Sequence, residues 1–223
     1  MNIITVEGLF KNFKNKALFN NFSLSIEQNT IHAIVGPNGS GKTSLLRILT
    51  GLYQPDQGEV QVKTDHAMLL ENDYLYEDKS GLENLKLFGL YFDYQLYGYE
   101  DYAELLEIKN DLDRKVSTYS KGMKRKLSLL IIVMMQRGII FLDEVTSGVD
   151  PISRRQIREL IALLKRNGKT IVITSHDLDE IEKVADVVTM IKQGKILFTK
   201  RMEDIQDESL EDLFIEPAIK MST

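Results

Sequence analysis

The stretch IHAIVGPNGSGKTSLLRILT, residues 31–50, constrains the fold more than any other part of the chain. A short apolar strand leads into eight residues that carry three glycines, and Leu45, Leu46, Ile48 and Leu49 then recur at helical spacing up to a helix stop at Gly51. Strand, glycine loop and helix in that order make a P-loop, G-x-x-x-x-G-K-[ST], met here by Gly36, Gly41, Lys42 and Thr43. Glycines let successive backbone N–H groups curl toward an anion, and the N-terminus of the following helix adds partial positive charge. In such a loop Lys42 reaches for the β and γ phosphates and the Thr43 hydroxyl for Mg2+. A dinucleotide loop does not fit, because Gly39 and Gly41 lack the third glycine at the required offset. The expected ligand is therefore a nucleoside triphosphate.

With 223 residues, 43% of them hydrophobic, the chain can bury a full core. It contains no cysteine, which excludes disulfides, thiolate metal sites and cysteine nucleophiles and makes a cytosolic address the expectation. The opening MNIITVEGLF has neither the basic region nor the apolar run of a signal peptide. The longest apolar run, LSLLIIVMM (127–135), has about half the length of a membrane span and reads as a buried helix. A formal charge of −5 argues against an extended phosphate-backbone footprint, so no nucleic acid partner is expected.

Short β-type runs, NIITVEGL, FSLSI, IHAIV and GEVQV, fill the first third. Helical patterning follows in SGLENLKLFGLYFDYQL and DYAELLEIKNDL. The expected layout is one α/β domain over 1–223, with a helical subdomain at about 73–136 set into a core formed by about 1–72 and 137–223. Seven of the nine tyrosines fall between Tyr74 and Tyr102, beside Phe88 and Phe92. That crowding reads either as packing or as a docking surface for a partner. After residue 136, GIIFLDE is a strand ending in acids, SRRQIRELIALLKRNG a helix closed by Gly168, and KTIVITSH a second buried strand, so the sheet is expected to be mostly parallel. The stretch ESLEDLFIEPAIKMST (208–223) reads as a short helix and a frayed tail.

The cluster IIFLDEVTSGVD delivers Asp143 and Glu144 to the C-terminal end of a strand, where ligands bind in open α/β sheets. Alone, the pair reads equally well as solvated acids. Beside a P-loop it can divide labour, Asp143 holding magnesium and Glu144 polarising the attacking water.

With these motifs the chain resembles, over essentially its whole length, the nucleotide-binding domain of ATP-binding cassette (ABC) transporters. Its Walker A loop is Gly36, Pro37, Asn38, Gly39, Ser40, Gly41, Lys42 and Thr43, followed by Ser44, and its Walker B strand is IIFLD followed by Glu144. YSKGM (119–123) stands where the family has its signature, SGVD (147–150) where it has its D-loop, and His176 in ITSHD where it has its switch histidine. The resemblance implies a P-loop NTPase fold of ABC type: a mostly parallel RecA-like core, an N-terminal antiparallel β region and a helical subdomain. It further implies that two such domains, as a homodimer or as a heterodimer with another ABC ATPase, face each other head to tail around two ATP molecules. Ser120, Lys121, Gly122 and Met123 of one would face the ATP of the other, and Asp150 would knit the two sites together. Glu144 and His176 would be catalytic, Phe13 would stack on adenine, and Thr43, Glu71 and Asp143 would serve the Mg2+ ion.

Two departures from the family pattern stand out. The glutamine loop falls at LLENDYLY, where Glu71 replaces the amide and adds charge beside the γ phosphate. The signature has Lys121 where LSGGQ has glycine, a variant that resembles cassettes of drug, peptide, haem or lantibiotic exporters. The function implied is an ATP-binding and ATP-hydrolysing subunit that drives separate transmembrane permease subunits, leaning to export, cytoplasmic and peripheral on the inner face of the cell membrane. The alternative is a soluble cassette ATPase acting on nucleic acid or ribosomes. Such relatives carry a long coiled-coil insertion, zinc modules or a second cassette, which are not found in this sequence.

Overall fold

The strand that precedes the glycine loop, β3 (Ile31–Val35), lies inside a six-stranded sheet and is buried along its whole length. The computed structural model describes residues 1–13, 16–205 and 209–213. The other strands of this sheet are β5 (His66–Leu69), β6 (Ile139–Asp143), β7 (Thr170–Ser175), β8 (Val187–Lys192) and β9 (Lys195–Arg201). Their spatial order is β5-β6-β7-β3-β8-β9, parallel throughout except for the edge hairpin β8–β9. A second sheet, antiparallel and in the order β2-β1-β4, is built from β1 (Asn2–Phe13), β2 (Lys16–Glu27) and β4 (Gln57–Val62).

Side-chain alternation along the central strands feeds two cores. On β3, Ile34 points into a cluster with the antiparallel sheet and α1 (Lys42–Leu49), while Ala33 and Val35 point into a cluster on the opposite face. Phe141 and Leu142 of β6 divide in the same way, as do Val172 and Ile173 of β7. A parallel sheet covered on both faces needs such continuously apolar strands. The opposite face is covered by α4 (Lys121–Met134) and α5 (Pro151–Arg166). The run LSLLIIVMM is indeed a buried helix: every residue from Leu127 to Met134 in α4 is buried.

In the chain between β5 and β6 come α2 (Gly81–Phe92) and α3 (Tyr99–Leu105), which pack on α4. A capping box opens α2, with the Glu83 amide donating to Ser80 Oγ (3.1 Å) and the Ser80 amide to Glu83 Oε2 (2.7 Å). The expected helix DYAELLEIKNDL is shorter than its pattern suggests. It stops because Glu107 turns left-handed (φ 51) and the Ile108 amide donates back to Ala103 O at 2.9 Å, a turn that buries both Leu106 and Ile108.

Three strands and one helix were not expected from the sequence: β5, β8, β9 and α6 (Leu178–Glu182). Strand β5 has four residues, of which only Ala67 and Leu69 are buried, too few to display a period. Of the expected short C-terminal helix, residues 210–213 are helical, and the tail beyond 213 lies outside the described residues.

Candidate functional site

The glycine loop leaves β3 at its C-terminal end. Gly36 takes φ 153, and a Cβ there would stand 2.0 Å from the Ile191 carbonyl oxygen of β8, so the loop can pass the neighbouring strand only as glycine. At the far end Gly41 (φ 110) caps α1 without a side chain, and the first turn of α1 contains no acid. The free amides of that turn therefore remain available to an anion. Ser40 Oγ is buried and makes no hydrogen bond among the described residues, which fits a site shaped around an acceptor.

A cleft of about 510 Å³ opens over this loop, lined by residues 38–44 together with Glu71, Glu144, Ser147 and His176. Gly36 and Pro37 line an adjoining cleft that also contains His176. Lys42 is buried and folded back: its Nζ donates to Gly36 O (2.8 Å) and Pro37 O (3.4 Å) and lies 3.6 Å from Glu144 Oε1. The other carboxylate oxygen of Glu144 is 2.8 Å from His176 Nδ1. Glu144 thus bridges the loop lysine and the histidine after β7.

Beneath this layer lies a buried polar junction. Thr43 Oγ1 donates to Asp143 Oδ1 (3.0 Å), and Thr174 Oγ1 donates to the same oxygen (2.6 Å). The Glu144 amide in turn donates to Thr174 Oγ1 (3.1 Å) and Thr174 O (3.2 Å). Glu144 needs that support, because it adopts φ 50, a conformation that non-glycine residues rarely take and that concentrates at functional sites. Thr174 was not singled out from the sequence, and Ser147 appeared there only within the D-loop stretch SGVD, with no role of its own. Thr174 left one signal, in that with Ser175 it closes a fully buried strand on two hydroxyl side chains after the apolar run Ile171–Ile173.

The signature residues stand elsewhere. Ser120 Oγ accepts the Met123 amide (3.2 Å) and so caps α4, as an N-cap serine does. A Cβ on Gly122 would meet Ser153 Oγ at 2.7 Å and Asp150 Oδ2 at 2.8 Å, and the Lys121 side chain crosses directly over Gly148. Asp150 itself caps α5 by accepting the Ser153 amide at 3.0 Å, a bond that holds its carboxyl below the usual range. None of Ser120, Lys121, Gly122, Met123 or Asp150 lines the cleft of its own chain. Phe13 is likewise apart, edge-on to Tyr53 with ring centroids 5.4 Å apart.

Glu71 is held from behind. Arg125 of α4 donates to the carbonyl oxygens of Leu70 (2.8 Å) and Glu71 and lies 3.2 Å from Asp73 Oδ1. Burial pushes the Asp73 carboxyl up and the Arg125 guanidinium down from their ordinary values. Within β3, His32 is buried beside Thr189 of β8 (Nε2 to Oγ1 2.8 Å), and desolvation lowers its pKa to about 4.

Among the described residues, no group of three or more His, Asp or Glu side chains could hold a metal ion. Thr43 and Asp143 nevertheless offer adjacent hard oxygen donors, the set Mg2+ uses when substrate phosphates complete its shell. No described helix is long and apolar enough to cross a membrane.

Residues 19–147 match the family described as ABC transporter. The lantibiotic transport ATP-binding protein SrtF of Streptococcus pyogenes is 30% identical over 221 residues, covering 95% of this chain and 96% of that protein. The daunorubicin resistance ATP-binding protein DrrA3 of Streptomyces coeruleorubidus is 31% identical over 222 residues, covering 92% of this chain and 70% of that one. Among solved structures, an ATP binding subunit of an ABC transporter superposes with a TM-score of 0.86 at 21% identity, covering 96% of this chain and 98% of the other.

Proposed function

This chain belongs to the ATP-binding proteins of the ABC transporter family, and from that premise we propose that it hydrolyses ATP to drive separate transmembrane permease subunits. The observation that carries the hydrolytic part is the position of Glu144, between Lys42 at 3.6 Å and His176 at 2.8 Å on the wall of the phosphate cleft. In the proposed reaction water attacks the γ phosphorus, Glu144 takes the proton of that water, and the bond to the β–γ bridging oxygen breaks to leave ADP and phosphate. Lys42 exchanges the Gly36 and Pro37 carbonyls for phosphate oxygens, and His176 keeps Glu144 aimed at the water. Thr43 and Asp143, with Glu71 at the cleft wall, are the residues proposed to hold Mg2+, which when bound neutralises charge on the phosphates.

The signature residues and Asp150 lie outside their own cleft, which supports a head-to-tail pair in which they face the nucleotide of the other subunit. That pair consists of two copies of this chain or of this chain and a second cassette. Phe13 is proposed to stack on the adenine. The single domain is proposed to divide into a core of about 1–72 and 137–223 and a helical subdomain of about 73–136. The helical subdomain leaves Tyr74, Leu90, Tyr91 and Tyr97 exposed, which supports docking to an apolar partner at the inner face of the membrane. The names of SrtF and DrrA3, lantibiotic transport and daunorubicin resistance, support export as the direction. The charge of −5 supports a partner other than nucleic acid.

The test is affinity purification of the Glu144→Gln variant from its native membranes in Mg·ATP, followed by mass spectrometry. Co-recovery of polytopic membrane proteins is the expected result. Recovery of ribosomal or DNA-bound proteins in their place would overturn the transport reading and leave the ATPase chemistry standing.

A further inference from the structure

Arginine is almost never fully buried unless it is paired. Arg125 is 1% exposed and heads the largest fully buried side chains among the described residues. Among the described residues, its hydrogen bonds and its ion pair go to one short segment, 70–73, which leaves β5 without regular secondary structure. Its planar fork spans the carbonyls of Leu70 and Glu71 and faces the Asp73 carboxylate, and Ser128, one turn further along α4, donates to Asp73 O at 3.4 Å. The backbone of Glu71 is thereby bolted to α4, and the same residue lines the phosphate cleft.

We propose that Arg125 is a positioning residue for hydrolysis: it fixes Glu71 at the wall of the phosphate cleft from α4, the helix that Ser120 caps. The inference rests on the ATPase reading given above. Two consequences follow from the geometry. The carboxylate that departs from the family's amide is held where the backbone of residue 71 puts it, so its distance from a bound γ phosphate is set by a side chain 54 positions away in the sequence. Any shift of α4, whose N-terminus bears the signature residues, also shifts Glu71, because a buried guanidinium cannot release its acceptors without leaving them unpaired.

Arg125→Lys is the informative variant. It retains the charge opposite Asp73, but a single ammonium cannot reproduce a planar fork across two carbonyls and a carboxylate. In the nucleotide-free protein, amide hydrogen exchange over residues 70–75 is expected to quicken by about tenfold while the buried half of α4 keeps its protection. With Mg·ATP, turnover is expected to fall by about tenfold at unchanged ATP affinity. In a Glu71→Ala background the same substitution is expected to cost no further turnover, because the group it positions is gone.

Wild-type exchange over 70–75, or turnover losses that simply multiply in the double variant, would overturn the inference. If Arg125→Lys does not fold, Asp73→Asn, which leaves the fork in place but removes its counter-charge, takes the same two readouts, and unchanged exchange and turnover there again sink it. Absence of turnover in the wild-type protein would remove the ATPase reading. The exchange measurement, made without nucleotide, judges the link between Arg125 and the Glu71 loop separately.

Discussion

The C-terminal edge of the central sheet and the aromatic surface of α2 and α3 are built on opposite terms. At the sheet edge, polar groups are buried and bonded more than once: Asp143 Oδ1 receives two hydroxyls, and Thr174, 0% exposed, serves both acids of the cluster. On the helical side, large apolar groups stand in solvent, Leu90 at 84% and Tyr97 at 83% exposure. The first region spends its neighbours on fixing a few oxygen atoms, as a site for phosphoryl transfer requires, since catalysis there is positioning and charge stabilisation. The second leaves apolar surface uncovered, as a contact surface for another protein does. The crowded tyrosines therefore divide between packed and exposed positions. Tyr94 and Tyr102 pack against the core, and Tyr94 OH donates to Leu85 O at 2.8 Å, whereas Tyr74, Tyr91 and Tyr97 face solvent.

The contrast can be broken most forcefully at the sheet edge. Glu144→Gln is expected to lower steady-state phosphate release by about 100-fold to 10,000-fold, the range of a lost general base, while ATP binding persists. Turnover at the wild-type rate would remove Glu144 from the chemistry. Lys42→Ala is expected to weaken ATP binding by about 30-fold or more, as loss of one partner of a buried charge pair does, and calorimetric titration reads it directly. An unchanged affinity would mean that the loop does not hold phosphate.

A smaller effect distinguishes the interior of the sheet from its edge. His32 has its pKa lowered from 6.5 to about 4 by burial, so between those values the unfolded chain binds more protons than the folded one. The contribution is present in full above pH 6.5 and is lost as the pH falls toward 4, amounting to about 3 kcal/mol at the acid end. Denaturant melts across that window should show the slope in the wild type and a shallower one in His32→Gln. Equal slopes would contradict a neutral buried imidazole.

The smallest change in isolation is expected at the aromatic surface. Leu90→Ser and Tyr91→Ser together should shift the stability of the purified chain by no more than about 0.5 kcal/mol per site, the usual size for exposed positions. Co-recovery with membrane proteins should nevertheless be lost. A large fall in melting temperature would instead make this surface part of the core and erase the contrast.

The P-loop was legible because its determinants are neighbours in the chain. Gly36, Gly41, Lys42 and Thr43 lie within eight positions, and the strand and helix around them appear at the expected places as β3 and α1. The same holds for β6 with its acids and for α5, which runs to Arg166 before Gly168 turns left-handed (φ 80). Elements with weak local signals were not legible. Strand β9 has no buried residue and is defined by pairing with β8, and β5 is too short to carry a pattern. Tertiary pairing assigns such segments, since strand propensity mostly measures the fit to neighbouring strands.

By itself, then, the amino-acid order determined the phosphate loop, the acidic strand end, the buried character of α4 and the α/β class, because dihedral freedom at glycine and apolar periodicity act between adjacent residues. Only the folded chain decided which groups meet. Thr43 reaches Asp143 across 100 positions, Thr174 reaches it across 31, and Arg125 grips the Glu71 loop across 54. Gly36 is required by the Ile191 carbonyl, which belongs to a strand paired with β3. Parallel strands lie side by side only after long crossovers, so the contacts that make this site rigid join residues whose spacing in the chain carries no local signature.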